Sequence, residues 1–174
     1  MMSLDTNRIN SRGKLPNVTQ LEKWAKDGVI ILGLSETAMK ECHAGSDAIR
    51  SEKASGYIYA IASIDSPREL EILRDIERIV FPLGPKDANE RNDVAIAFTA
   101  SKYNEILVTA DGDSRKQPGG LLGHRKELSD LGVRIMSDEE AVQHVRIRIK
   151  DRDILAARAA KIACRPEPDW LGKD

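Results

Sequence analysis

The sequence predicts an α/β fold, a three-layer α/β/α sandwich built on a parallel sheet of four or five strands. Three observations carry this expectation. Short β-branched runs alternate with longer amphipathic segments, the pattern of strands joined by crossover helices. The 174 residues suffice for one core and are too few for an eight-fold barrel. Acidic residues also recur at the ends of the apolar runs and in the helices that follow them. In such a fold the first turns of the helices lie at the carboxyl edge of the sheet, where open α/β sheets bind ligands.

The elements follow in order. The first apolar stretch ends at Asp5, in Leu4-Asp5-Thr6-Asn7. Residues 17–26 read as a helix, with Thr19 and Glu22 spaced as a capping box and Leu21, Trp24 and Ala25 facing inward. Gly28 ends it, and 29–34 is a short buried strand. Ser35 is a suitable N-cap for a helix carrying Glu36, Ala38, Met39 and Glu41. Between 44 and 64 the pattern is ambiguous: 48–54 suits a helix, and 57–62 suits strand or helix. Ser66-Pro67-Arg68-Glu69 is a helix start, with Ile72, Leu73, Ile76 and Ile79 on one apolar face. Prolines at 82 and 85 force a break. A long helix over 88–103, which Asp93 is expected to open, leads into the clearest strand, 105–110. A Gly-rich loop at 111–120, a helix over 121–131 and a strand at 132–136 follow. Ser137 and Glu140 cap the last domain helix. The domain is expected to span 1–145, with 146–174 a basic extension holding a short helix near 154–164 and a Pro-containing tail that Trp170 could anchor.

Composition sets bounds on function. Hydrophobic content of 41% with 32% charged residues suits a globular chain. A net charge of −1 gives no overall attraction to nucleic acid, so any such affinity needs a local patch. Cys42 and Cys164 are too few for a disulfide framework or a zinc site. No run approaches a membrane span and the N-terminus lacks a signal peptide's apolar stretch, so the expected location is the cytoplasm.

The chemistry lies in Asp5, Glu41, Asp93 and Asp111, with Asp113 behind them. Carboxylates gathered at one edge repel unless a hard cation sits among them, and the absence of a His or Cys cluster favours Mg²⁺ or Mn²⁺ over zinc. With a phosphate ester as electrophile, such an ion activates water and neutralises the non-bridging and leaving oxygens. Each acid also has a plainer reading. Asp5 suits a strand-to-loop turn, Asp93 a first-turn helix acid and Asp111-Gly112 a turn; Glu41 is an ordinary helical Glu with which Glu36 competes. Other motifs fail on inspection. Arg115 and Lys116 break a calcium loop, and 118–124 lacks the Gly-Lys-Ser/Thr end of a P-loop. His43, His124 and His144 show no ligand spacing and read as surface residues. A basic strip through Arg115, Lys116, His124, Arg125 and Lys126 is the candidate for gripping an RNA backbone, or is simply a solvated face. Arg146, Arg148, Lys150 and Arg152 form a second basic cluster, suited to RNA, a protein partner or another subunit.

Three stretches together resemble the PIN domain, a family of metal-dependent ribonucleases that includes the toxins of many toxin–antitoxin pairs. They are Leu4-Asp5-Thr6-Asn7, Asn92-Asp93-Val94-Ala95-Ile96-Ala97, and Leu107-Val108-Thr109-Ala110-Asp111-Gly112-Asp113. The segment 35–42 is similar to the one that donates the family's Glu, which maps onto Glu41. The resemblance covers roughly 1–145. It departs at Ser114, where the family has an aromatic or apolar residue, and in the short first strand. It implies a PIN-like fold and an Mg²⁺- or Mn²⁺-dependent endoribonuclease. Asp5, Asp93 and Asp111 would be ligands, Glu41 a further ligand or base, and Asp113 an outer ligand, with Asn7 and Thr109 orienting the carboxylates. RNA, an antitoxin or other protein, and a second copy of the chain are the implied partners. Two rivals stand beside this reading: a non-catalytic PIN-type scaffold that binds RNA or protein, and a small-molecule phosphohydrolase on the same edge.

Overall fold

The computed structural model describes residues 1–112 and 119–173. Five strands form one parallel sheet: β1 (Met2–Leu4), β2 (Leu32–Ser35), β3 (Ile58–Ala60), β4 (Ile106–Val108) and β5 (Arg134–Met136), in the order β3-β2-β1-β4-β5. The central strand is β1, with Leu4 opposite Leu34 on one side and Val108 on the other. All three of these residues are essentially without solvent exposure. β1 is buried on both faces, so no residue of Met2-Ser3-Leu4 faces solvent, the small polar Ser3 included.

The helices are α1 (Pro16–Lys26), α2 (Glu36–Ala44), α3 (Ala48–Ser55), α4 (Pro67–Val80), α5 (Ala88–Lys102), α6 (Gly120–Gly123), α7 (Arg125–Ser129) and α8 (Asp138–Ile162). α1 packs against α8, while α2 packs against both α3 and α5, and α5 against α4. The expected α/β sandwich with a parallel sheet is the observed architecture. Most starts obey the capping chemistry of the sequence. The Ser35 hydroxyl accepts from Ala38 N at 3.1 Å, and that of Ser66 from Glu69 N at 3.3 Å. Ser137 and Glu140 form a complete capping box.

Four expectations are corrected. The box of Thr19 and Glu22 does not form, because Pro16 starts α1 one turn earlier; Thr19 Oγ1 instead donates to the Leu15 carbonyl. Asp93 does not open α5. Asp87 caps that helix, accepting from Glu90 N at 3.0 Å, and Asp93 sits in its second turn. The helix over 121–131 is two short helices broken at His124. The short helix near 154–164 is the end of the continuous α8, which crosses 145/146 without a break. No Gly or Pro interrupts 138–164, and Ala, Arg and Lys propagate a helix well, which outweighs the strand-like Arg-Ile alternation. Trp170 folds back beneath Arg152, whose guanidinium stands 4.6 Å from the indole centroid, and Gly172 N donates to Asp153. Among the described residues, no helix is long and apolar enough to cross a membrane.

Candidate functional site

Two strand ends and two helices converge at the carboxyl edge. Asp5 follows β1 and Asp111 lies just beyond β4, while Glu41 projects from α2 and Asp93 from α5. All four acids line one cavity of about 570 Å³, together with Thr6, Asn7, Arg50 and Asn92. The structure therefore brings Asp5, Glu41, Asp93 and Asp111 to one place. Glu36 does not line it; it pairs with Lys40 at 2.9 Å on the outer face of α2.

Asp5 is the buried floor, 3% exposed. Its Oδ1 accepts from Thr6 N at 2.6 Å, and its Oδ2 accepts from Asn7 Nδ2 and Thr109 Oγ1, each at 2.6 Å. Asn7 also ties the two strand ends together, because its Oδ1 accepts from Ala110 N at 3.1 Å. Thr109 Oγ1 accepts from Asp111 N at 2.9 Å. Asn7 and Thr109 thus orient Asp5 through hydrogen bonds that link β1 to β4. Asp111 Oδ2 accepts from Leu121 N at 2.8 Å. That contact requires Gly120, at φ +70°, since a Cβ there would stand 2.6 Å from the same oxygen. Glu41 is held by Asn92 Nδ2 at 2.8 Å and by the Thr6 hydroxyl.

Electrostatics match the crowding. Burial pushes the Asp5 carboxyl above the ordinary carboxylate range; hydrogen bonds from Thr109 and Thr6 oppose it, and Glu41 and Asp111 add to it. Burial, then the negative charges of Asp111, Asp5, Glu41 and Glu90, push Asp93 up to about 8. Arg50, from α3, brings a guanidinium to the cavity and donates to the Thr6 carbonyl. Cys42 lies behind with its thiol raised by burial, which makes it a poor nucleophile.

The lining suits a hard cation in kind, being four carboxylates with no His or Cys. In their present rotamers the side chains do not close on one point: among the described residues, no group of three or more His, Cys, Asp or Glu is arranged to hold a metal ion. Both oxygens of Asp5 and of Glu41 accept from protein donors, which fixes their orientation and leaves their remaining lone pairs to a cation.

Asp113, Arg115 and Lys116 lie outside the described residues. Arg125 and Lys126 are exposed on α7, and Arg125 pairs with Glu140 at 2.7 Å. Sequence reasoning missed Arg50 and Asn92. Asn92 adjoins Asp93 and was within reach of the motif, whereas Arg50 carries no spacing signal. Only the packing of α3 on α2 brings it in.

No protein family model matches the sequence, and no curated protein matches it. A solved structure described as FitAB bound to an IR36 DNA fragment is similar at 17% identity, with a TM-score of 0.48, over 79% of this chain and 95% of that one.

Proposed function

We propose that this chain is a metal-dependent ribonuclease, the activity that its resemblance to PIN domains implies. The observation that carries the reading is the gathering of Asp5, Glu41, Asp93 and Asp111 on one open cavity at the carboxyl edge of the sheet. Asp5, Asp93 and Asp111 would hold Mg²⁺ or Mn²⁺, with Glu41 a further ligand or a base acting through water. When bound, the ion supplies Lewis acidity toward the phosphate and lowers the pKa of a water.

The chain's own residues do the rest. Asn7 and Thr109 keep Asp5 in one rotamer, so little reorganisation accompanies binding. Asn92 and Thr6 hold Glu41 across the cavity from Asp5 and can release one oxygen to accept a proton from water. Arg50 offers a cation to a phosphodiester entering a site of otherwise negative charge. The scaffold reading has an observation of its own, the internal satisfaction of Asp5 and Glu41 without a closed ligand set. Under that reading the acids only tie the strand ends together.

Two measurements separate the readings. Mn²⁺ should raise the melting temperature of the wild type, and Asp93→Asn should lose most of that rise while remaining folded. Single-stranded RNA should be cut in Mg²⁺ or Mn²⁺, EDTA should abolish cleavage, and Asp93→Asn should reduce it at least a hundredfold. An unchanged melting temperature in Mn²⁺ together with no cleavage would leave the scaffold.

A further inference from the structure

The opposite edge of the sheet carries a different surface. At the amino ends of the strands, a cavity of about 540 Å³ opens between α8 and the α1–β2 loop. Its floor is apolar, with Val29, Ile30, Ile106, Val145 and Ile149. Its α8 wall is a row of His144, Arg148 and Arg152 at four-residue spacing, one ridge of a helix. A second hollow of about 590 Å³ continues past Gly28, Ile30 and Ile31, which both share, to Leu32, Tyr57 and Ile58. The two make one trough across the amino edge, and Ile31 stands on it with 56% of its surface in solvent.

The charged lining of this trough is mostly positive: Arg148 and Arg152 stand on α8, and Lys53 pairs with Glu22 at 2.9 Å in the second hollow. Arg148 keeps 72% of its side chain in solvent and lies 4.0 Å from Asp151. Arg152 is committed to Asp153 and Trp170, which stiffens that end. Burial, then the positive charges of Arg148 and Arg134, hold the His144 imidazole below its usual range.

An apolar floor with a basic wall on one side selects among ligands. A nucleic-acid backbone would satisfy the arginines and leave the isoleucines wet. An uncharged peptide would do the reverse. A helix with apolar residues on one face and Asp or Glu along its flank satisfies both, and its ridges can enter the four-residue rows of α8. We propose that the amino-edge trough is a docking surface for an acidic amphipathic helix of a protein partner, its carboxylates on Arg148 and its apolar face over Ile30, Ile31 and Ile149. Nothing in this site involves the acids of the carboxyl edge, so partner and substrate could be bound at once.

The test uses the full chain and a synthetic 20-residue amphipathic helix of Leu and Glu, with a twin in which Lys replaces every Glu. Fluorescence anisotropy should show the Leu/Glu helix binding at least tenfold tighter than the twin. Arg148→Glu should weaken it at least tenfold and Ile31→Ser several-fold. Melting curves for both variants, altered only at exposed side chains, verify the fold. Equal binding of both peptides, or unaltered binding by both variants, would overturn the proposal. So would a 20-nucleotide poly(U) or phosphatidylserine vesicles competing the Leu/Glu helix away through the same Arg148, because the surface would then belong to RNA or to lipid.

Discussion

The two edges of one sheet make opposite surfaces. At the carboxyl edge the strand ends deliver four acids to a polar cavity, and a net of hydrogen bonds from Thr6, Asn7, Asn92 and Thr109 immobilises Asp5 and Glu41. At the amino edge the same strands begin beneath an apolar trough, walled by a basic helix with an exposed Arg148. The parallel sheet is the cause, since it sends every strand end one way and each crossover returns the chain to the other side. A net charge of −1 therefore conceals two fields of opposite sign. Rigidity also differs: acids crowded at one edge require fixed donors, whereas the solvated arginines at the other do not.

The largest expected effect tests that difference in rigidity. Asp5→Ala removes the acceptor for Thr6 N, Asn7 Nδ2 and Thr109 Oγ1 in a buried place, and should cost about 2–3 kcal/mol. Arg148→Ala, at the other edge, should stay within about 0.5 kcal/mol. Urea unfolding of both variants measures the contrast. Equal losses would mean that the carboxyl-edge network is no more structural than the solvated helix.

A pair of glycines sharpens the comparison. Gly120 at φ +70° and Gly28 at φ +75° both hold left-handed backbone, one beside Asp111 and the other in the amino-edge trough. A Cβ at Gly28 meets nothing within 4 Å, so Gly28→Ala should cost only backbone strain, about 1 kcal/mol. At Gly120 the Cβ would collide with the Asp111 carboxylate. Gly120→Ala should therefore cost about 1 kcal/mol more than Gly28→Ala. It should also blunt the Mn²⁺-induced rise in melting temperature, which Gly28→Ala should leave intact. Equal costs and equal metal responses would show that Asp111 moves aside freely.

How much of this was legible in the sequence differs between the edges. The position of Asp111 was readable because 106–110 is an unmistakable buried run, and Asp5 because it ends an apolar stretch. Glu41 could not be separated from Glu36 by pattern, since both sit on one short helix. What distinguishes them is the approach of Thr6 and Asn92, across 35 and 51 residues of sequence. Arg50 was illegible for the same reason. At the amino edge the trough was not visible at all. Its walls come from 28–31, 106 and 144–152, and the Arg-Ile alternation obscured a helix whose ridge only folding turns toward the strands. Patterns of period two or 3.6 report which way a residue faces within its element, not which distant element it meets.

A pH series probes the acidic edge alone. The ordinary value for an Asp carboxyl is 3.8, and that of Asp93 in the folded protein is pushed up to about 8. Between those values the folded chain holds a proton that the unfolded chain has released. Stability is therefore full below about pH 4 as far as this group is concerned, and falls as pH rises through 8. The raised Asp5 carboxyl acts in the same direction. Discounted for partial solvent screening, the loss from Asp93 between pH 5 and pH 9 in EDTA should be about 1–2 kcal/mol. Asp93→Asn should flatten it, and Arg148→Ala should leave it unchanged. A pH slope identical in Asp93→Asn and wild type would locate the titrating group elsewhere.

The smallest effect decides which edge meets RNA. Arg125 and Lys126 are exposed on α7, which follows α6 and the contact of Leu121 with Asp111, and so belong to the acidic half of the molecule. If they grip phosphates beside the site, replacing each with Ala should weaken RNA binding whatever its sequence. Each change should also lower the slope of log K against log[salt] by about 0.7 for single strands. Stability should hardly move, because the exposed pair of Arg125 with Glu140 contributes no more than about 1 kcal/mol. Arg146→Ala and Arg148→Ala supply the control at the other edge. With the acidic helix reserved for the amino-edge trough, these two should leave RNA affinity and its salt slope as they are. Should they flatten the slope instead while Arg125→Ala and Lys126→Ala do nothing, the basic helix would be the RNA contact, and the separation of substrate from partner across the sheet would fail.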